Sequence, residues 1–265
     1  MVAIMEKGLR MARVLITGTS QGIGRVSALE AIRRGHQVVG TARNVGDLDG
    51  IEGLAAALRL DVTDPHSIEA AIRDAGELDA LISNAGVTTN GPVETVPLSE
   101  FSRLFEINAL GALRVAQPLI ARFRRQGHGR LIFLSSILGQ IALPFKAPYA
   151  ASKFALEAIG ESLAAETREF GLHVSLIEPG PVSGTAGRAN GTNFFSDNDP
   201  YQKLFDAGPS GAHLDTATVT VEEVARKVVD TLEEESPALH VPVGTLAVDL
   251  IRTKYSSLNA ALSGR

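Results

Sequence analysis

Tyr149 and Lys153 stand four residues apart in the run Tyr149-Ala150-Ala151-Ser152-Lys153. Four residues make about one turn of α-helix, so the two side chains share a face. A phenol beside an ammonium ion is a way to make a proton donor. Free tyrosine and lysine titrate near ~10 and ~10.4. A neighbouring cation favours the phenolate and draws the tyrosine toward the working pH. The other two tyrosines, Tyr201 and Tyr255, have Phe205 and Asn259 at the same offset. The bland alternative is an exposed helical tyrosine beside a solvated lysine, and the pair alone leaves both open.

A second cluster with chemistry in it is Thr17-Gly18-Thr19-Ser20-Gln21-Gly22-Ile23-Gly24. It joins an apolar strand pattern to a helical one. Gly18 permits a sharp turn, Gly22 lets backbone approach a pyrophosphate, and Gly24 allows close helix–strand packing. The helix N-terminus then offers free N–H groups and a positive dipole to phosphate. The spacing is G-x3-G-x-G rather than G-x-G-x-x-G, so position carries the reading more than the glycines do. No Gly-Lys-Ser/Thr follows, which excludes a P-loop.

Both clusters need a scaffold. The strand candidates are Arg13–Thr17, Gln37–Thr41, Ala56–Leu60, Ala80–Ser83, Arg130–Ser135, His173–Glu178 and Leu239–Val243. Most are continuous apolar runs, as in strands covered on both faces of a parallel sheet. Helical periodicity fills 22–34, 65–75, 99–125, 148–170 and 220–234. Pro118 sits inside the segment 99–125 and should kink it, and Thr220-Val221-Glu222-Glu223 is a capping box. Gly35 and Gly171 follow helices, as C′ glycines do. The alternation predicts an α/β fold, a doubly wound, Rossmann-type, mostly parallel seven-stranded sheet with helices on both faces. We expect one domain over 11–265, with 1–10 an N-terminal extension. The segment 182–218 is a long polar loop carrying Phe194, Phe195, Tyr201 and Phe205. It reads as a substrate lid, with simple anchoring of the loop as the alternative. The segment 245–265 reads as a helix and tail without a legible role.

Composition narrows the classes. The chain has 265 residues, 45% hydrophobic and 21% charged, with net charge −5 and no cysteine. There is no thiolate chemistry, and the negative balance gives no global field for nucleic acid. No apolar run reaches the ~18 residues of a membrane span, and the expectation is a soluble cytoplasmic protein. The six histidines have no ligand-like spacing, so no metal is expected. The basic cluster Arg122, Arg124, Arg125, His128 and Arg130 reads as a solvated helix end.

Loop and pair together resemble the short-chain dehydrogenase/reductase family, in its compact single-domain branch, from Arg13 to about Val243. Further motifs occur in the family's order: Asp61-Val62, Asn84-Ala85-Gly86, Asn108, Ser136 thirteen residues before Tyr149, and Pro179-Gly180. The resemblance implies a catalytic set of Asn108, Ser136, Tyr149 and Lys153. Tyr149 would be the acid or base. Lys153 would lower its pKa and bind the nicotinamide ribose. Ser136 would bond the substrate oxygen, and Asn108 would support a water-linked proton relay. Strand alternation would turn Ser135 to the opposite face. The implied cofactor contacts are Gly18, Ser20, Gln21, Gly22, Ile23, Gly24, Arg43, Asp61, Val62, Asn84, Ala85, Gly86, Tyr149, Lys153, Pro179, Gly180 and Val182.

Where NAD-preferring relatives hold the ribose with an Asp, this chain has Ala42 followed by Arg43. Arg43 can pair with a 2′-phosphate, so NADP(H) is favoured over NAD(H); a solvated loop arginine is the alternative. Gln21 stands where some NADP-preferring relatives have a basic residue. Thr185 comes one position later than the family's usual threonine, which puts it in doubt as a nicotinamide contact. The stretches 152–157 and 175–178 resemble steroid and retinol dehydrogenases of the family. With the aromatic loop, this implies a hydrophobic or aromatic ketone or secondary alcohol. A 3-oxoacyl-carrier-protein reductase and a non-catalytic NADP(H)-sensing protein remain as other readings. The small residues of the Tyr149 helix, and the family's habits, imply a homodimer or homotetramer.

Overall fold

Short apolar strands and amphipathic helices alternate along the chain because each strand must be covered on two faces. The computed structural model describes residues 11–183, 191–207 and 218–262. Strands β1 (Arg13–Ile16), β2 (Gln37–Ala42), β3 (Ala56–Arg59), β4 (Ala80–Ser83), a two-residue β5 (Thr89–Asn90), β6 (Gly129–Leu134) and β7 (Leu172–Pro179) are followed by two-residue β8 (Val182–Ser183), β9 (Thr192–Asn193) and β10 (Val219–Thr220), then β11 (His240–Val243). Seven of them form one parallel sheet in the order β11-β7-β6-β4-β1-β2-β3. The order reverses beside β1, where Val14 pairs with Val38 on one side and Ala80 on the other. Such a switch point opens a crevice at the strands' carboxyl ends. The sheet matches the sequence expectation, with no strand end moved by more than one residue.

Alternate side chains of the strands build two cores. Leu15, Val39, Leu81, Phe133 and Leu176 pack under helices α2 (Pro65–Asp74), α4 (Gly111–Gln126) and α5 (Ala147–Thr167), through Ile68, Leu119, Phe123, Leu156 and Leu163. Val14, Ile16, Val38, Ile82, Ile132 and Ile177 pack under α1 (Gly22–Arg33) and the helix Val221–Glu233. Each such buried side chain contributes about 1.5–3 kcal/mol relative to exposure. Arg34 ties the two helices of the second layer together, donating to Glu30, Asp230 and Glu233 at 2.8–2.9 Å.

The segment expected as one helix over 99–125 is three pieces. Helix α3 (Leu98–Phe105) runs into a π-helical turn, Glu106–Leu110, and then α4. The α4 helix continues through Pro118, and the irregularity lies upstream of it. Wide turns of this kind are frequent at functional positions, and this one carries Asn108. The two-residue ladders β5–β9 and β8–β10 were not legible, because two-residue strands have no period. The expectations placed on residues 1–10, on Thr185 and on the 184–190 and 208–217 parts of the loop lie outside the described residues. No helix among the described residues is long and apolar enough to cross a membrane.

The predicted capping box at Thr220 is complete. Glu223 N donates to Thr220 Oγ1 at 3.1 Å, and Thr220 N donates to Glu223 Oε2 at 2.7 Å. Thr220→Ala should lower unfolding free energy by about 1 kcal/mol in urea titration, without altering nucleotide binding.

Candidate active site

The glycine-rich loop sits where β1 gives way to α1, and each glycine has a distinct physical reason. Gly18 and Gly22 have φ of +69° and +56°, conformations costly to residues with a Cβ. A Cβ on Gly22 would meet nothing within 4 Å, so that backbone faces open space. On Gly24 it would lie 2.3 Å from Gly18 O and 2.4 Å from Asn84 Nδ2. Gly24 is therefore the packing glycine and does not line the cleft. No side chain caps the N-terminus of α1, leaving its N–H groups to a ligand.

The loop is braced from β4. Asn84 Nδ2 donates to the carbonyls of Thr17 and Gly18 at 2.9 and 3.0 Å, while Thr17 Oγ1 accepts from the N–H groups of Asn84 and Ala85. Asn84 thus shapes the phosphate loop as well as lining the cleft with Ala85 and Gly86.

The cleft measures about 1220 Å³, room for a dinucleotide and a second molecule. Ser20, Gln21 and Ile23 line it beside Gly18 and Gly22, and Arg43, Asp61 and Val62 line its far end. Asp61 accepts from Thr63 N and Oγ1 at 2.9 and 2.7 Å. These bonds, with help from the charge of Arg43, hold its carboxyl below the usual range. Pro179, Gly180 and Val182 line the other end, past the tip of β7. Donors at a helix N-terminus, an open glycine backbone and a guanidinium fit a dinucleotide carrying phosphates.

The catalytic candidates meet at the carboxyl end of β6. Ser136 lies just past that strand, within hydrogen-bonding reach of the Tyr149 phenol. Ser135 also lines the cleft, with its hydroxyl buried 2.9 Å from where a Cβ on Gly139 would stand. Lys153 Nζ lies 5.7 Å from the Tyr149 ring centroid and donates to Leu134 O at 2.6 Å. Burial pulls Lys153 down to about 8. Burial also pushes the Tyr149 phenol up, against the hydrogen bond from Ser136 that lowers it. Spacing alone predicts the reverse, a phenol drawn down by its lysine. The structure makes dehydration the larger influence and Ser136 the one that opposes it.

Asn108 is 1% exposed and does not line the cleft. Its Oδ1 accepts from Val87 N at 2.8 Å, and its Nδ2 donates to Val87 O and Ser152 Oγ, both at 2.9 Å. The side chain clamps the stretch after Gly86 to the catalytic helix, where the resemblance implied a relay. Ser152, between Tyr149 and Lys153, was missed by the sequence reading. Its place three residues after Tyr149, whose carbonyl its Oγ reaches at 2.7 Å, was the available signal.

The aromatic loop is an anchor more than a cover. Phe195, Tyr201 and Phe205 pack around Phe145, with ring centroids 5.5, 6.2 and 5.6 Å away, and Tyr201 Oη donates to Glu94 at 2.7 Å. Of the four aromatics only Phe205 reaches the cleft. The substrate end also has Leu138, Leu143, Lys146, Asn90, Asn193 and Asp206, none singled out from sequence because distant segments bring them together.

The family model described as short chain dehydrogenase matches residues 12–193. Retinol dehydrogenase 8 of Bos taurus is 36% identical over 182 residues, 64% of this chain and 58% of that protein's length. The chain thus spans less than two thirds of that relative. The NADPH-dependent 3-dehydrocapnine reductase of Ornithobacterium rhinotracheale is 31% identical over 234 residues, 82% of this chain and 80% of its own. A short-chain dehydrogenase from Streptomyces avermitilis superposes with TM-score 0.83 at 30% identity, covering 95% of both chains.

Gly24→Ala should strain the loop by about 1–3 kcal/mol, because its Cβ meets backbone rather than a movable side chain. The expected readouts are a lower thermal midpoint and at least ~10-fold weaker nucleotide binding in a fluorescence titration.

Proposed function

The chain belongs to the short-chain dehydrogenase family, and on that premise we propose that it is an NADP(H)-dependent oxidoreductase acting on a hydrophobic ketone or secondary alcohol. Oxidoreduction at carbonyl or alcohol groups is the family's chemistry. The observation that carries the reading here is the meeting of Ser136, Tyr149 and Lys153 at the end of β6 beside a phosphate-binding loop.

The glycine loop and Arg43 would hold the dinucleotide, with Asp61-Val62 beside its adenine and Lys153 at its nicotinamide ribose. When bound, the nicotinamide supplies the hydride. Tyr149 delivers the proton to the substrate oxygen, and its buried, protonated phenol suits an acid. Ser136 steadies the developing negative charge on that oxygen. Asn108 keeps the floor of the site rigid. In the oxidative direction the same groups act in reverse.

The phosphate preference rests on Arg43 at the cleft's far end, where Ala42 leaves no carboxylate, and on the likeness to an NADPH-dependent reductase. The substrate class rests on Ile137, Leu138, Leu143 and Phe205 at the cleft wall and on the likeness to a retinol dehydrogenase. Phe205, from the stretch 191–207, would border this substrate end. Assembly as a homodimer or homotetramer is supported by Leu98, Phe105 and Phe154, exposed on α3 and α5. Gly160 is not part of that argument, since a Cβ there would lie 2.8 Å from Leu176 in the sheet.

NADPH oxidation against steroids, aryl ketones and 3-oxoacyl thioesters tests the activity. Tyr149→Phe should lose about 10²–10⁴ in turnover while still binding NADPH. Wild-type turnover in that variant would remove Tyr149 from its role, and NADPH binding without turnover of any ketone would favour a sensor. Arg43→Ala should weaken NADPH about 10-fold or more and leave NADH nearly unchanged, since a charge-assisted pair is worth about 1.5–3 kcal/mol. Equal loss for both nucleotides would overturn the preference for NADP(H).

A further inference from the structure

Behind the active site, Gln140 has every polar atom engaged. Its N–H donates to Ile137 O at 2.9 Å, and its carbonyl accepts from Lys254 Nζ. Its Oε1 accepts from Tyr255 Oη at 2.9 Å, and its Nε2 donates to Glu157 Oε2 at 3.1 Å and Glu178 Oε1 at 3.0 Å. Gln140 ends the short turn Ile137–Gly139 that Ser136 begins. At the other end, Ser136 Oγ accepts from Leu138 N at 3.1 Å and Ser136 O from Gly139 N at 2.8 Å. Three residues separate the glutamine from the serine, in a turn whose ends are both fixed.

The groups around Gln140 come from four separate elements. Glu157 is one turn beyond Lys153 on α5, and Glu161 follows it. Glu178 precedes Pro179-Gly180 on β7. His240 comes from β11, with Nδ1 2.7 Å from Glu178 and 3.4 Å from Glu157, and Nε2 3.6 Å from Glu161. Lys254 and Tyr255 come from the C-terminal helix, Thr245–Leu262. Gln140, Glu157 and Glu178 are 5%, 4% and 0% exposed. Buried carboxylates need donors, and the amide of Gln140 serves both. Moving it would strip a bond from each, so the amide is held hard. The turn is also pressed onto α5: a Cβ on Gly139 would stand 2.8 Å from Glu157 Cγ.

We propose that Gln140 is the positioning residue for Ser136, locked by the Glu157–Glu178–His240 cluster and by the C-terminal helix. The inference rests on the assignment of Ser136 to the proton-transfer site. It gives the C-terminal helix a function, which is to fix a turn that ends beside Tyr149. The carboxylates hold the His240 ring protonated, pushed up to about 10, so the clamp stays charged through neutral pH.

Displacing Ser136 removes the hydrogen bond that lowers Tyr149. The phenol then titrates higher, and because reduction needs it protonated, the basic limb of the rate profile moves to higher pH. The test is a double-mutant cycle of Gln140→Leu and Ser136→Ala, following NADPH oxidation across pH at saturating nucleotide. Gln140→Leu should lower kcat about 10-fold, keep nucleotide Kd within about 2-fold, and move the basic limb up as Ser136→Ala does. On the Ser136→Ala background it should cost less than about 2-fold. Multiplying losses, or an unmoved limb, would overturn the proposal while leaving the role of Ser136 intact. Wild-type turnover in Ser136→Ala would instead overturn the assignment of that serine, and this inference with it. Should Gln140→Leu not fold, Tyr255→Phe takes its place in the cycle, with about a 3-fold loss expected that vanishes on the Ser136→Ala background. A loss that persists there would count against the clamp.

Discussion

The buried ammonium of Lys153 governs the geometry around it. A charge removed from water needs an acceptor, and the donor contact here is to the carbonyl of Leu134 at 2.6 Å. That carbonyl is the last residue of β6, so the bond fixes α5 against the strand's end. Ser136 is two residues further along the chain, and Tyr149 is one helical turn before the lysine. Anchoring the lysine therefore brings the serine and phenol hydroxyls together. The same burial keeps the phenol protonated and pulls the lysine down to about 8.

A parallel sheet makes this arrangement possible. All seven strands end at one edge, and the order turns at β1, so the phosphate loop and the serine turn open on one cleft. Bracing then proceeds from neighbour to neighbour. Thr17 and Asn84 hold the loop, Asn108 holds the stretch after Gly86, and Gln140 holds the serine turn. Each brace is a polar side chain bonded to main chain or to other polar side chains. That is what a buried polar group requires, and it also gives rigidity.

The seven strands, their covering helices and the capping box were legible because their signals are local: apolar runs, period and end residues. The π-turn at Glu106–Leu110 was not, since one extra residue in a helical turn barely disturbs a periodic pattern. The aromatics at 194–205 were legible as a cluster but not in their orientation. Phe195, Tyr201 and Phe205 turn toward Phe145, 50 to 60 residues away in sequence, because burying rings against one another removes more apolar surface than lining an open cleft.

By itself the sequence determined the strand and helix order, the glycine loop, and the residues Ser136, Tyr149 and Lys153 that the family's spacing marks. It did so because a turn, a helix face and a strand end are each written within a few neighbouring residues. Only the tertiary structure decided the electrostatics and the bracing. Whether Tyr149 feels its lysine or its dehydration more depends on what covers it. That Gln140 meets Glu157, Glu178, Lys254 and Tyr255 depends on four elements up to 115 residues apart. Burial and long-range hydrogen bonding are properties of the packed whole, and no local pattern encodes them.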